Sequence, residues 1–420
     1  MGNPDRTGRL MNPPLTDRSA MPEDNTLANT RERFHIPDGV RYFDGNSLGL
    51  MPKVVQLHAS NVITHEWGNG LISSWHSAEW RTLPQRAGAK LAALIGARPD
   101  EVVACDSTSV NLFKVLVSAV RLRPGRRKIV TDADAFPTDL YIVDQVARLF
   151  GLTVDAVPAK EIPSRLDDQV AAVVLTHVDY RSAEIYNMEE FTRATHDAGA
   201  LIVWDLSHTA GAVPCDLDKS GADFAVGCGY KYLNGGPGAP AYLYVAARHV
   251  SACEQPLAGW FGHARPFDFA QKYAPAEGTD RFLCGTNPVI GLSVLSRALD
   301  IFEGVSIDDI RGKSLQLTQL FIDSADRQLA THGFVVASPR DPAIRGSHVS
   351  LRHTQGYAVM QELSRRKIIG DFRMPDYMRF GFAPLYNTED EVHQLVDAID
   401  GIMKERAWDK PEYQQRRDFT

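Results

Sequence analysis

The sequence lacks most of the features that assign a chain to a class at first sight. No apolar run approaches the ~20 residues needed to span a bilayer. Met1–Arg33 is rich in Pro, Asn, Asp, Thr and Arg and carries no apolar segment of the kind a secretory signal uses. Cysteine is scarce and scattered: Cys105, Cys215, Cys228, Cys253 and Cys284 are odd in number and form no Cys-X-X-Cys pair. That spacing fits neither a disulfide framework nor a zinc site, and reads as reduced thiols in a cytoplasmic compartment. No HExxH, Walker A or Rossmann fingerprint occurs, so metal and nucleotide chemistry find no support. The net charge of −7 leaves no basic surplus for nucleic acid.

What is present is an ordinary globular composition, 44% hydrophobic and 23% charged, over 420 residues. That length exceeds one typical core and implies two or more packed units. From about Val102 to Val245 short apolar strands alternate with longer helical stretches, the pattern of a mostly parallel sheet covered on both faces. The expected strands are Lys128–Thr131, Ala171–Leu175, Ala200–Trp204, Ala222–Val226 and Ala241–Val245. The expected helices are Ser109–Val120, Thr138–Phe150 and Met188–Ala198, the last capped by Gly199. Further on, Lys313–Ala330 places Leu315, Leu320, Phe321, Ala325 and Leu329 on one helical face. Thr388 with Glu391 forms a capping box ahead of the stripe Val392, Leu395, Val396, Ile399 and Ile402. The division predicted is a mobile tail at 1–34, an N-terminal segment at 35–80 joining the small unit, a large α/β domain at 81–295, and a small α+β domain at 296–420.

The informative stretch is Gly227-Cys228-Gly229-Tyr230-Lys231-Tyr232-Leu233-Asn234-Gly235-Gly236-Pro237-Gly238. A lysine between two tyrosines, just after an apolar strand, is an odd choice for a solvated charge. Its glycines permit turns and close approach to a ligand, and a lysine whose pKa is lowered by burial forms Schiff bases. Alone, such a lysine is more often an ordinary surface residue in a glycine-rich turn. Asp205 closes the strand before Leu206-Ser207-His208, and strand ends are where open α/β sheets bind ligands. A carboxylate there can pair with a pyridinium nitrogen, although a strand-end Asp is as often a plain cap. Thr108 and Ser109 open a helix and so form a phosphate site or a simple N-cap. Phe136-Pro137-Thr138-Asp139 starts another helix, from which Phe136 could lie on a cofactor ring and Asp139 bond its edge.

Together these strings resemble kynureninase, a family of fold-type-I pyridoxal-phosphate enzymes in the class V aminotransferase group. The resemblance runs over roughly residues 35 to 400, from Asp44-Gly45-Asn46-Ser47-Leu48-Gly49 through the lysine segment and Gly259-Trp260-Phe261-Gly262-His263 to Arg379-Phe380-Gly381-Phe382-Ala383-Pro384. It implies that Lys231 carries pyridoxal 5′-phosphate and that Asp205 holds the pyridine nitrogen; Tyr230, beside the lysine and near the phosphate, is the candidate base that would activate water. Thr108, Ser109, Tyr230, Trp260 and Thr286 would hold the phosphate, some across a homodimer interface. Phe136 would stack on the ring, with Asp139, Thr176 and His208 as further contacts. Arg379 would clamp the substrate carboxylate, with Asn46, Ser47, Trp75, Gly285 and Thr286 completing the substrate site. The implied reaction is hydrolysis of L-kynurenine, and of 3-hydroxy-L-kynurenine, to anthranilate or 3-hydroxyanthranilate and L-alanine, in tryptophan catabolism or on the way to NAD, with no metal, nucleic acid or membrane partner. Trp75-His76 and Cys284-Gly285-Thr286 look like the bacterial type, which prefers L-kynurenine to its 3-hydroxy derivative. Tyr180-Arg181-Ser182-Ala183 departs from the family's Tyr-Arg-Thr-Gly. A cysteine desulfurase is the rival, but such enzymes place His before the lysine, where this chain has Tyr230. A cofactor-binding regulator would need an added DNA-binding unit, and residues 1–35 are too short and irregular for one.

Overall fold

The computed structural model describes residues 27–413 and 415; the expected tail over residues 1–26 lies outside the described residues. At the centre is a seven-stranded sheet in the order Val102–Ala104, Tyr242–Val245, Phe224–Gly227, Leu201–Asp205, Val170–Thr176, Lys128–Asp132, Thr153–Val157. The last five strands run parallel, and Tyr242–Val245 is antiparallel to both neighbours. Successive residues alternate between two apolar layers: Val173, Leu175, Ile202 and Trp204 enter one, Ala172, Val174, Leu201 and Val203 the other. Burial on both sides is why these strands read as unbroken apolar runs. The predicted strands, and the helices now bounded as Thr108–Arg121, Pro137–Phe150 and Met188–Asp197, recur with ends moved by a residue or two. Two strands carry little sequence signal. Thr153–Val157 is a largely exposed edge and Val102–Ala104 is too short to show a period.

The C-terminal part forms a four-stranded antiparallel sheet, ordered Asp371–Arg373, Tyr377–Gly381, His348–Arg352, Val335–Val336. Its core joins Phe321, Phe380, Leu395 and Ile399 to Phe43 from the N-terminal segment, and Arg41–Tyr42 pairs in parallel with Ile368–Ile369. The helix Ile307–Gln328 starts well before Lys313, with Ser306 as its cap and Asp308 and Asp309 in its first turn. Its buried face runs through Leu317, Phe321, Ile322 and Ala325, whereas Leu315 and Leu320 are only part-buried. Residues 27–34, expected within a mobile tail, are anchored by partners remote in sequence. Thr30 Oγ1 donates to the Leu385 carbonyl at 2.6 Å, Arg31 pairs with Glu391 at 2.7 Å, and Phe34 packs against Tyr386.

At the departure Tyr180-Arg181-Ser182-Ala183 the backbone keeps a glycine-like form. Ala183 has φ +65°, a left-handed conformation that costs an L-residue about 1–2 kcal/mol. The turn is held by Asp179, whose Oδ1 accepts from Arg181 N, Ser182 N and Ser182 Oγ at 3.1, 2.6 and 2.7 Å.

The predicted capping box is formed on both arms: Glu391 N donates to Thr388 Oγ1 at 3.3 Å, and Thr388 N to Glu391 Oε2 at 3.2 Å. Because Glu391 also holds Arg31, this cap ties helix Glu389–Glu405 to the N-terminal segment. Thr388→Ala should therefore lower stability by about 1 kcal/mol. Urea unfolding checks this, and an unmoved midpoint would contradict it.

Candidate functional site

Parallel strands end together at one edge of the large sheet, where Thr176 and Asp205 are register partners on adjacent strands. The cavity there, about 200 Å³, lies between that edge, the start of helix Thr108–Arg121 and the small sheet. Twelve of the residues singled out from sequence line it: Asn46, Ser47, Thr108, Ser109, Phe136, Asp139, Thr176, Asp205, His208, Tyr230, Lys231 and Arg379.

One wall is acidic. Asp205 Oδ1 accepts from Ser207 N at 2.8 Å and from Ser207 Oγ at 2.6 Å. Burial, and then the Asp205 charge beside it, push the Asp139 carboxyl well above the ordinary carboxylate range. Of the two carboxyls, Asp139 is thus the one pushed toward its protonated form. Facing the pair, Lys231 Nζ lies 2.9 Å from His208 Nε2. Burial, and then the charge of Lys231, hold His208 well below its usual pKa, so the ring is neutral. Lys231 Nζ carries N–H donors, so the contact suits Nε2 as acceptor with the ring proton on Nδ1. That Nδ1 is buried and has no protein partner, as are Nδ2 and Oδ1 of Asn46. Tyr230 is pushed upward by burial and then by Cys228, and so keeps its phenolic proton.

The opposite wall is cationic. Asp371, at the end of the small sheet, receives Arg379 Nε on Oδ1 at 2.7 Å, Arg379 Nη2 on Oδ2, Arg373 Nη2 at 2.8 Å and Ser47 Oγ at 2.6 Å. Burial alone would raise this carboxyl, but Arg379 and Arg373 hold it below the ordinary value. Asp44 lies against the same group without an arginine of its own, and its Oδ1 is buried without a partner. Burial, then Asp371, raise it to about 7. Sequence reading passed over Arg373 and Asp371. The signal available was the polar–apolar–polar order of Asp371-Phe372-Arg373, which puts both polar residues on one strand face.

The remaining four predicted residues stand away from this cavity. Gly285 and Thr286 are exposed. Trp260 is 42% exposed, with Nε1 donating to the Pro266 carbonyl at 2.6 Å. Trp75 meets Trp80 and Phe261 edge-on, with ring centres 5.6 Å apart in each case. Among the described residues no cluster of metal-ligating side chains occurs, and no helix is long and apolar enough to cross a membrane.

A lysine facing a buried acid pair at the carboxyl edge of such a sheet defines a class, the fold-type-I pyridoxal-phosphate enzymes. Solved structures agree in fold. A cysteine desulfurase from Thermococcus onnurineus superposes with a TM-score of 0.78 at 21% identity, covering 90% of this chain and 98% of its own. A C-DES variant with glycine covalently linked to its PLP cofactor superposes with 0.77 at 18% identity, covering 88% and 98%. At such identities the likeness is one of fold. Sequence relatives are more specific: residues 310–399 match the kynureninase C-terminal domain. The kynureninase of Pseudomonas fluorescens is 46% identical over 96% of this chain and 99% of its own length. That of Burkholderia mallei (strain SAVP1) is 45% identical over 96% and 98%. The chain belongs to the kynureninase family.

The residues present fit the cofactor of that class. The acid pair suits a protonated ring nitrogen, and the hydroxyls of Thr108 and Ser109 stand at a helix N-terminus, where a phosphate is favoured. Phe136 touches Tyr180 edge-on at 5.2 Å and is 43% exposed, apolar surface that an aromatic ring would cover.

The Asp44 carboxyl generates a pH prediction. Its folded pKa is above the ordinary value of 3.8, so the stability it contributes is full at low pH and is lost as pH rises through about 7. Asp44→Asn should therefore gain thermal stability relative to the parent as pH goes from 5 to 8. Paired melting curves test this; a difference that stays flat with pH would count against the assignment.

Proposed function

We propose that the chain hydrolyses the Cβ–Cγ bond of L-kynurenine, releasing anthranilate and L-alanine, with pyridoxal phosphate carried on Lys231. The observation that supports this most is the Lys231–His208 contact of 2.9 Å in one cavity with the Asp205–Asp139 pair. The cofactor supplies an electron-poor ring that accepts electrons from bonds broken beside the substrate nitrogen. The protein's part is positional and protonic. Asp205, oriented by Ser207, would hold a proton on the ring nitrogen, and Asp139 would bond the ring edge. Thr108, Ser109 and Tyr230 would hold the phosphate, while Phe136 covers one ring face. Thr176 Oγ1 already donates to the Val178 carbonyl at 3.0 Å, so it can only accept from a ligand.

Lys231, freed when the substrate amine takes its place, is proposed to move the Cα proton, with neutral His208 Nε2 accepting one of its N–H bonds. Tyr230 was expected as the base for water addition. Burial keeps its proton in place, and we assign it instead as a donor toward the γ-oxygen. Arg379, Ser47 and Asn46 are assigned to the substrate amino-acid end. Trp75, Trp260, Gly285 and Thr286 are assigned to a neighbouring subunit's site in a homodimer, which accounts for their distance from this chain's own cavity. In this reading residues 81–295 and 296–420 form the large and small units, 35–80 bridge them, and the enzyme works in the cytoplasm on tryptophan breakdown, feeding catabolism or NAD formation. Among possible substrates, L-kynurenine is preferred to 3-hydroxy-L-kynurenine. A desulfurase reading is disfavoured because burial raises the Cys284 thiol, while such chemistry needs a thiolate.

Lys231→Ala should lower anthranilate release by about 10³-fold or more and leave protein that loses its cofactor absorbance on desalting. Retention of full turnover and of the bound chromophore would refute the assignment. Parallel kcat/KM values for the two substrates test the preference, and more than about tenfold in favour of the hydroxylated one would reverse it.

A further inference from the structure

The residue expected to grip the substrate carboxylate is already almost fully engaged. Arg379 donates Nε and Nη2 to the two oxygens of Asp371, Nη2 also to Ser47 Oγ at 3.2 Å, and Nη1 to the Tyr180 carbonyl at 2.6 Å. A guanidinium has five N–H donors, so one, on Nη1, is left over in a side chain only 2% exposed. A two-pronged hold on a carboxylate needs two donors.

Arg373 is placed to supply what Arg379 lacks. It sits on the neighbouring strand, where Asp371 is opposite Arg379 and Arg373 opposite Tyr377. Its Nη2 donates to Asp371 Oδ2 at 2.8 Å and Ser47 Oγ at 3.4 Å, and its Nη1 to the Phe372 carbonyl at 3.1 Å. Nε–H and one Nη1–H remain, on a side chain 35% exposed that lines the same cavity. The charges agree with the geometry. Two guanidinium groups surround one fully paired carboxylate, Asp371, and the nearby rings of His208 and His348 are both held neutral by burial. Below about pH 7, where Asp44 keeps its proton, this wall has one positive charge in excess, enough for one anionic group.

We propose that Arg373 is a substrate-binding residue, the second arm of a two-arginine grip on the α-carboxylate, with Asp371 and Ser47 holding both arms in register. This deepens the reading of the pocket as an amino-acid site and rests on it. The competing role is structural, with Arg373 serving only to neutralise Asp371.

The holoenzyme distinguishes these roles with two substrates, L-kynurenine and its α-carboxamide, both followed by anthranilate fluorescence. Arg373→Gln should raise KM for L-kynurenine by about tenfold or more, the loss expected for a charged hydrogen bond, while kcat moves little. The same variant should scarcely affect kcat/KM for the carboxamide, and Arg373→Lys should recover part of the loss. Spectral titration of the bound cofactor with L-alanine and L-alaninamide gives the same comparison without turnover: the variant should weaken L-alanine alone. Equal weakening for acid and amide would overturn the proposal in favour of the structural role. If the unmodified enzyme itself fails to prefer acid over amide, the amino-acid reading of the pocket falls, and the proposal with it.

Discussion

The loop Asp44–Gly49 is the contact on which the geometry of the cavity depends. Gly49 N donates to the Tyr230 carbonyl at 2.8 Å, and a Cβ on Gly49 would lie 2.3 Å from the Lys231 carbonyl oxygen. No side chain fits there, so backbone meets backbone. On its other side Gly381 N donates to the Phe43 carbonyl at 2.7 Å, and a Cβ on Gly381 would meet Asn46 Oδ1 at 2.1 Å. One short segment thus presses against the lysine loop beside the large sheet and the arginine strand of the small sheet. Lys231 and Arg379 are far apart in sequence, and this double contact sets their separation in space.

Within that frame the cavity is polarised. The acid pair lies at the large sheet's edge and the guanidinium surplus lies at the small sheet's end. Interior charges interact more strongly than surface ones, so each must be paired or neutralised. Asp371 is paired, Asp139 is pushed toward its protonated form and the two histidines are neutral. What is left unmatched is a carboxylate at one wall and a cationic excess at the other. An amino acid bound between them, in the proposed reading, would present its nitrogen toward Lys231 and its carboxylate toward the arginines.

The same fold serves different chemistry in the desulfurases that superpose on it, which is why fold alone decides little about activity. The local differences are small in sequence and large in consequence. Tyr230 precedes the lysine, and the half-buried Cys284 is held in its thiol form. Sequence identity to kynureninases over nearly the whole chain, together with the contents of the cavity, carries the functional conclusion.

Local chemistry alone was enough to make the large sheet legible, because strands buried on both faces leave continuous apolar runs and helices between them leave a 3.6-residue period. The capping box at Thr388 and the lysine loop were legible for the same reason: each needs particular residues at fixed, short spacing. The edge strand Thr153–Val157 was not, since an exposed strand needs no apolar pattern. Nor was the anchoring of residues 27–34, whose partners Leu385, Tyr386 and Glu391 lie hundreds of residues away. Only the tertiary structure showed that Arg379 is largely consumed by Asp371, that Arg373 stands beside it, and that burial keeps the proton on Tyr230. Residue types are written in the chain, but donor counts and protonation states depend on what folding brings alongside them.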